Sequence, residues 1–221
     1  MEKSEIVLQA KNAKAENKDQ VIAQFCKGKT VLDVGCIGQD RNYAADNWLH
    51  EKVRKIALKI DGVDILVNEI NILRANGYAM YTVEELQATM NKYDVVLMAD
   101  VIEHVNDPVG FLAFYSQFLL PDGVMLITTP NANRANNFIN ILFNNNYSVN
   151  PEHVFWFCPK TFAEVVQRAK LRVKDFKWAS HYYTSKEIKG IYQKFKFILS
   201  SVLIRVRSNF NPNMIFILTS Q

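Results

Sequence analysis

The residues with chemistry to offer stand at the ends of short apolar runs. Thr30-Val31-Leu32-Asp33-Val34 stops in Gly35-Cys36-Ile37-Gly38-Gln39-Asp40. Two glycines let the backbone pass close to a ligand that a Cβ would obstruct. A helix after such a turn offers free N–H groups to an acidic group. Asp33, ahead of the first glycine, suits a cationic ligand better than a pyrophosphate. The G-x-G-x-x-G spacing of a dinucleotide site is absent, and so is the G-K-[ST] of a phosphate loop. A second run, Tyr93 to Ala99, leads into Asp100, Glu103, His104 and Asp107, and His153 lies further along. A neutral imidazole near physiological pH is suited to taking a proton from a hydroxyl. Asp100, Glu103, His104 and Asp107 are metal-ligand types, but no ligand motif supports a metal and none is expected.

Positioning these residues takes a repeating scaffold. Glu5 to Phe25 reads as a helix with a polar, lysine-rich middle. Strands are expected at 30–34, 60–65, 78–83, 93–99 and 124–129, each a short apolar run bounded by turn residues. Helices are expected between them, at 42–59, 67–75 and 108–120. This strand–helix rhythm means right-handed βαβ units and a doubly wound, mostly parallel α/β sheet. In such a sheet a ligand sits at the carboxyl ends of the strands, where Asp33, Asp64 and Asp100 fall. After Pro130 the rhythm breaks into an Asn-rich stretch with an apolar, helix-like piece around 138–143. A helix at 159–169, a strand at 172–179, a long amphipathic helix at 184–206 and a closing strand at 213–219 complete the reading.

Taken in order, V-L-D-V-G-C, Gly62-Val63-Asp64-Ile65, Y-D-V-V-L-M-A-D-V-I-E-H-V and L-P-D-G-V-M-L-I-T-T-P-N resemble a class I S-adenosylmethionine-dependent methyltransferase. The similarity runs from about Thr30 to Asn131 and continues more weakly through Asn150-Pro151-Glu152-His153-Val154. The G-C-[IV]-G loop and the segment Trp48-Leu49-His50 are similar to a subgroup associated with small-molecule or glycan methylation. The resemblance implies a seven-stranded Rossmann-like sheet with an antiparallel last strand. It also implies one domain over 1–221: an N-terminal helix (1–29), a cofactor half (30–130) and an acceptor-side, closing half (131–221).

S-adenosylmethionine is the implied cofactor. Gly35, Cys36 and Gly38 would hug its methionine and ribose, with Asp33 helping to hold the amino-acid end. Asp64, followed by Ile65, would accept from both ribose hydroxyls, the bidentate role of a carboxylate; Asp61 is the competing acid. Asp100 would lie beside the sulfonium or methionine end. Ile37 departs from the family's usual glycine. Thr82-Val83-Glu84-Glu85 replaces the usual Asp-Ala, leaving Glu84 or the Thr82 hydroxyl, with the Val83 N–H, for adenine.

Methyl transfer is an in-line displacement at an activated sulfonium, so alignment alone can contribute roughly 7–11 kcal/mol. A hydroxyl acceptor also needs a base, for which His153 and His104 are the candidates, with Glu103 beside them. Glu103-His104 bracing the pocket and His153 capping a turn are the competing readings. Aromatics such as Tyr147, Phe155, Trp156, Phe157, Tyr182 and Tyr183 suit sugar faces and planar rings but equally suit a core. Oxygen methylation of a small molecule or glycan is expected. A quinone- or phenol-type O-methyltransferase and a non-catalytic binding protein are the alternatives.

Composition bounds the rest. The 221 residues are 49% hydrophobic and 22% charged, which excludes a disordered or collagen-like chain. No stretch reaches the roughly 18 apolar residues that span a bilayer, and the charged first residues lack the apolar core of a secretory signal. Three cysteines without metal spacing suit a reducing compartment, so the cytoplasm is expected. Residues 181–221 hold six basic residues against Glu187, a charge of +5, while the rest sums to −1. That is not the basic face of a nucleic-acid binder. In the helix at 184–206 the apolar residues Ile188, Ile191, Phe195, Ile198, Leu199, Val202 and Val206 form one face. A helix packed across the sheet is the favoured reading, and peripheral contact with an anionic membrane through 184–207 is the sharper alternative.

Overall fold

The fold was described from a computed structural model, which covers residues 1–38, 43, 47–147, 149–180 and 190–220. One mixed sheet organises it. Its strands are β1 (Ala15–Asn17), β2 (Thr30–Val34), β3 (Lys59–Val63), β4 (Met80–Tyr81), β5 (Tyr93–Ala99), β6 (Leu119–Pro130), β7 (Leu171–Ser180) and β8 (Asn213–Ser220). Their order across the sheet is β1-β7-β8-β6-β5-β2-β3-β4. The pairs β2–β3, β2–β5, β3–β4 and β5–β6 are parallel, and β8 runs antiparallel to both β6 and β7. This is the Rossmann-like α/β arrangement with an antiparallel last strand.

Among the described residues eight strands are present rather than seven. The extra one, β1, interrupts what reads as a single N-terminal helix, leaving α1 (Lys3–Asn12) and α2 (Lys18–Cys26). Asn17 caps α2 by accepting from the Gln20 N–H, so the polar middle is a helix boundary rather than a helix face. β1 then extends the sheet beside Trp178–Ser180, and Lys177 pairs with Glu16 there.

The remaining helices are α3 (Leu49–Arg54), α4 (Val67–Ala75), α5 (Val83–Thr89), α6 (Pro108–Ser116), α7 (Ala135–Asn144), α8 (Pro159–Arg168) and α9 (Ile191–Val206). The expected helix at 42–59 is thus confined to α3 among the described residues. Strand residues alternate between two cores. Leu32, Val34, Val96 and Met98 pack with α1, α6 and α8, while Val31, Val95 and Leu97 pack with Val21, Ile22 and Val53 of α2 and α3. A smaller cluster, Cys36, Ile37, Trp48, Ile70, Leu73 and Met80, supports the glycine turn from below.

The amphipathic helix departs most from expectation. α9 contains no buried residue, so it is not a helix packed across the sheet by its apolar face. It lies instead beside α7, with Ser200 Oγ donating to Asn136 Oδ1 at 2.9 Å and Asn144 Nδ2 donating to Tyr192 at 2.6 Å. Ile188 and the lysines at 186 and 189 lie outside the described residues, as do Gln39, Asp40, Tyr182 and Tyr183. No described helix is long and apolar enough to cross a membrane.

Candidate active site

A cleft of about 1980 Å³ opens at the carboxyl ends of β2, β3, β5 and β6 and reaches under α7 and α9. The glycine turn forms one end. Gly35 has φ +68°, and a Cβ there would sit 2.8 Å from Val101 Cγ2, so both its conformation and its surroundings demand glycine. Its N–H donates to Val63 O at 2.8 Å, tying the turn to β3. Gly38 also has positive φ and lines the cleft.

Asp64 stands at the tip of β3 on the cleft wall. Its Oδ2 accepts from the Ile37 N–H at 3.0 Å, and its Oδ1 from the N–H groups of Ile65 and Leu66 at 2.8 and 3.2 Å. These bonds fix the carboxylate and couple the glycine turn to β3. Asp61 is fully buried away from the cleft, where it accepts from the Tyr93 hydroxyl at 2.7 Å and from Lys59. Ile65 and Val83 line the cleft.

Four sequence candidates face elsewhere. Asp33 turns into the interior, 2.9 Å from His50 Nδ1, both side chains almost wholly buried. It does not reach a methionine end from there, because alternation puts its side chain on the α2–α3 face of β2. Cys36 also points inward, toward Val63 O and Met80 Sδ, and burial holds its thiol well above the usual range. Glu84 is exposed on α5 and does not line the cleft. The Thr82 hydroxyl is used locally, accepting from the Glu85 N–H as the cap of α5 while Glu85 accepts from the Thr82 N–H. Phe111 and Tyr115, one turn apart on α6, line the cleft near Val83 instead. An aromatic wall for a planar ring was hidden in what reads as an ordinary apolar helix.

The glycine turn is braced by the Trp-Leu-His segment. Trp48 Nε1 donates to Cys36 O at 2.7 Å, and its ring stacks on His50 at 5.0 Å. Another residue missed from sequence is Lys18, at the start of α2. It forms an ion pair with Asp100, whose other oxygen accepts from Thr128 Oγ1 at 2.8 Å. Asp100 itself sits at φ +56°, turning the chain out of β5. Asp100 lines the cleft with Lys18 paired behind it, and such a pair matches the opposite charges of a free amino acid.

On the cleft wall beyond β5 the structure brings Glu103, His104 and His153 together. Residues 102–104 form one 3-10 turn after β5, and the Glu103 carbonyl accepts from the N–H groups of Val154 and Phe155 at 2.9 and 3.1 Å. This stitching places the His104 and His153 rings perpendicular, with centroids 4.6 Å apart. Glu103 is 1% exposed. Its Oε2 accepts from Thr129 Oγ1 at 3.1 Å, while Oε1 has no hydrogen bond and lies 4.0 Å from His153 Nε2. Burial, reinforced by the Asp100 charge, pushes the Glu103 carboxyl up to about 8. Burial, followed by His104 and Arg134, lowers the His153 imidazole below its ordinary value. Near neutral pH, therefore, Glu103 carries a proton and His153 does not.

The raised Glu103 has a consequence for stability. An unfolded glutamate ionises near 4.5, so between about pH 4.5 and 8 the native state keeps a proton that the unfolded chain has lost. The contribution is present in full below about 4.5 and is lost as pH rises toward 8. Urea midpoints should fall for this reason across that window. Glu103→Gln, which cannot ionise, should flatten the fall; an identical pH slope in both proteins would refute the assignment.

Comparisons with known proteins agree with this geometry. Residues 8–175 match the model of a methyltransferase domain family. The chain is 30% identical over 132 residues to a ubiquinone biosynthesis O-methyltransferase of Cereibacter sphaeroides, covering 52% of this chain and 50% of that protein. A protein of the same name from Roseobacter denitrificans is 29% identical over 152 residues, 65% of this chain and 55% of its own length. The chain thus spans about half the length of the curated relatives it matches. Among solved structures, a SAM-dependent methyltransferase from Archaeoglobus fulgidus superposes with a TM-score of 0.57 at 18% identity, over 91% of this chain and 90% of that one. The cleft fits such a cofactor, since the positive-φ turn at Gly35 and Gly38 presents bare backbone to it and Asp64 presents a fixed carboxylate at the adjoining strand tip. The chain belongs to the methyltransferase domain family.

Proposed function

We propose that this protein methylates an oxygen atom of a small molecule or glycan, with His153 as the base. The observation that carries the reading is the His104–His153 pair on the cleft wall, with buried Glu103 behind it. When bound, S-adenosylmethionine supplies an electrophilic methyl on sulfur. Asp64, Gly35, Gly38 and Ile65 hold the ribose side of the ligand, and Val83, Phe111 and Tyr115 flank its ring. Lys18 and Asp100 receive the carboxylate and ammonium of the amino-acid end.

His153 takes the hydroxyl proton as the acceptor oxygen attacks. Its lowered pKa keeps the ring neutral and able to accept at physiological pH. The unpartnered Glu103 Oε1 lies 4.0 Å from His153 Nε2, so its lone pairs face the ring as it takes the proton and becomes positive. His104, edge to face with His153, fixes the ring plane. These residues need only modest basicity for a phenol, whose pKa of about 10 is far below that of a sugar hydroxyl.

That difference favours a quinol- or phenol-type acceptor among small molecules, and the half-exposed Phe155 and Trp156 on the cleft wall suit a planar ring. The similarity to ubiquinone biosynthesis O-methyltransferases points the same way. The proposal includes peripheral contact of the 184–207 segment with an anionic surface; nucleic acid is not a proposed partner. The test is transfer of a labelled methyl group to a panel of catechols, monophenols and sugars. Methylated catechol or phenol supports the reading. Cofactor binding without transfer to any class would favour a binding protein that keeps the fold.

A further inference from the structure

We propose that α7 and α9 form a lipid-facing lid, whose outer stripe enters the headgroup layer of an anionic bilayer while its inner face closes the acceptor end. The proposal rests on the methyl-transfer reading only in taking that inner face as the acceptor side.

The two sides of α9 differ in kind. Gln193, Lys196, Phe197, Ser200, Ser201 and Ile204 line the cleft. On the opposite side, Ile191, Phe195, Ile198, Val202 and Val206 recur at steps of four, three, four and four, one continuous stripe. All five are exposed, Ile191 at 90% and Ile198 at 61%. The neighbouring α7 adds exposed Phe138, Leu142 and Phe143, the last in edge contact with Phe195. A single layer of helix therefore separates the cleft from a broad apolar surface. Contiguous patches of this kind mark an interaction site rather than scattered exposure.

Charge decides what covers it. Residues 131–147 and 190–207 carry no acid and five basic residues, of which Lys194 and Arg207 lie off the cleft lining and Arg134, Lys196 and Arg205 on it. An apolar stripe flanked by basic residues alone is the pattern of a helix lying in the plane of an anionic interface. A second copy meeting the same patch across a two-fold axis would bring these positive charges against one another. A lipid surface bearing phosphate answers both the apolar stripe and the charge.

The experiment is flotation of the full chain with phosphatidylcholine vesicles, with and without phosphatidylglycerol, at low and moderate salt. Binding should require phosphatidylglycerol and fade as salt rises. Lys194→Ala/Arg207→Ala should weaken low-salt partitioning about fivefold per residue removed. Ile198→Glu/Val202→Glu, at exposed positions outside the cleft wall, should abolish flotation and leave binding of S-adenosylhomocysteine by calorimetry unchanged. Failure to float with either lipid, equal flotation with both, or flotation by the Ile198→Glu/Val202→Glu protein would overturn the proposal. So would a dimer in sedimentation velocity that Ile198→Glu dissociates, since a second copy would then cover the stripe. Loss of methyl transfer alone would sink the functional reading and leave the surface standing.

Discussion

Replacing His153 by alanine is expected to lower turnover by about 10²–10⁴-fold with cofactor affinity nearly unchanged, the range for removing a general base. The effect should fall on kcat, because His153 belongs to the acceptor end and the groups placed around the cofactor are elsewhere. A pH–rate profile separates this role from bracing. In the native enzyme, activity should rise as pH climbs through the lowered pKa of His153, below the ordinary 6.5, because only the neutral ring accepts a proton. In His153→Ala that limb should vanish. His104→Ala should slow the reaction but keep the limb, since His104 is placed against the ring of His153 edge to face. A His153→Ala enzyme with near-normal kcat under chemistry-limited conditions would mean that alignment alone drives transfer.

This base was only half legible in the sequence. Glu103 and His104 follow a plain buried strand, so their neighbourhood to the sheet edge could be read from the run Tyr93 to Ala99. His153, fifty residues later, reaches them because the Val154 and Phe155 N–H groups donate to the Glu103 carbonyl. A backbone bond between two loops leaves no periodic trace in side-chain types. Burial of Glu103, which sets its protonation, likewise depends on Thr129 and on packing from other elements.

The cofactor end divides in the same way. Short apolar runs ending in Gly or Asp made β2, β3 and β5 readable, because parallel strands buried on both faces are nearly continuous in apolar residues. The place of Asp33 ahead of the first glycine, together with the motif resemblance, put it on the ligand. The strand period of two sends it to the opposite side from Leu32 and Val34, where His50 meets it. Lys18 was unreadable for another reason: β1 places it beside Asp100, and β1 exists only through its pairing with β7, about 160 residues away. For α9 the spacing showed an apolar face and could not show what covers it. The same pattern serves a packed helix and an interfacial one, and only the absence of any buried residue in α9 separates them.

Asp64→Ala is expected to weaken binding of S-adenosylhomocysteine by roughly 2–3 kcal/mol, the scale for a charged group that loses hydrogen-bonded partners. Part of that loss would be structural, because the same carboxylate accepts from the N–H groups of Ile37, Ile65 and Leu66. Asp64→Asn separates the two contributions. Its amide oxygen can keep one side of the N–H set, while its NH2 group cannot accept from a ribose hydroxyl. Asn should therefore lose most of the affinity with a smaller fall in the urea midpoint than Ala, since only one side of the N–H set loses its acceptor. Asp61→Ala should do the reverse. It strands the buried Tyr93 hydroxyl, which now donates to Asp61 at 2.7 Å, at a cost of about 1–3 kcal/mol in stability. Affinity of the folded fraction should hardly change, since Asp61 is fully buried and does not line the cleft. Calorimetry below the unfolding transition of all three variants, read beside urea denaturation, distinguishes the two acids. A larger affinity loss for Asp61→Ala than for Asp64→Ala would move the ribose site from the tip of β3 to its interior and undo the assignment of the cleft.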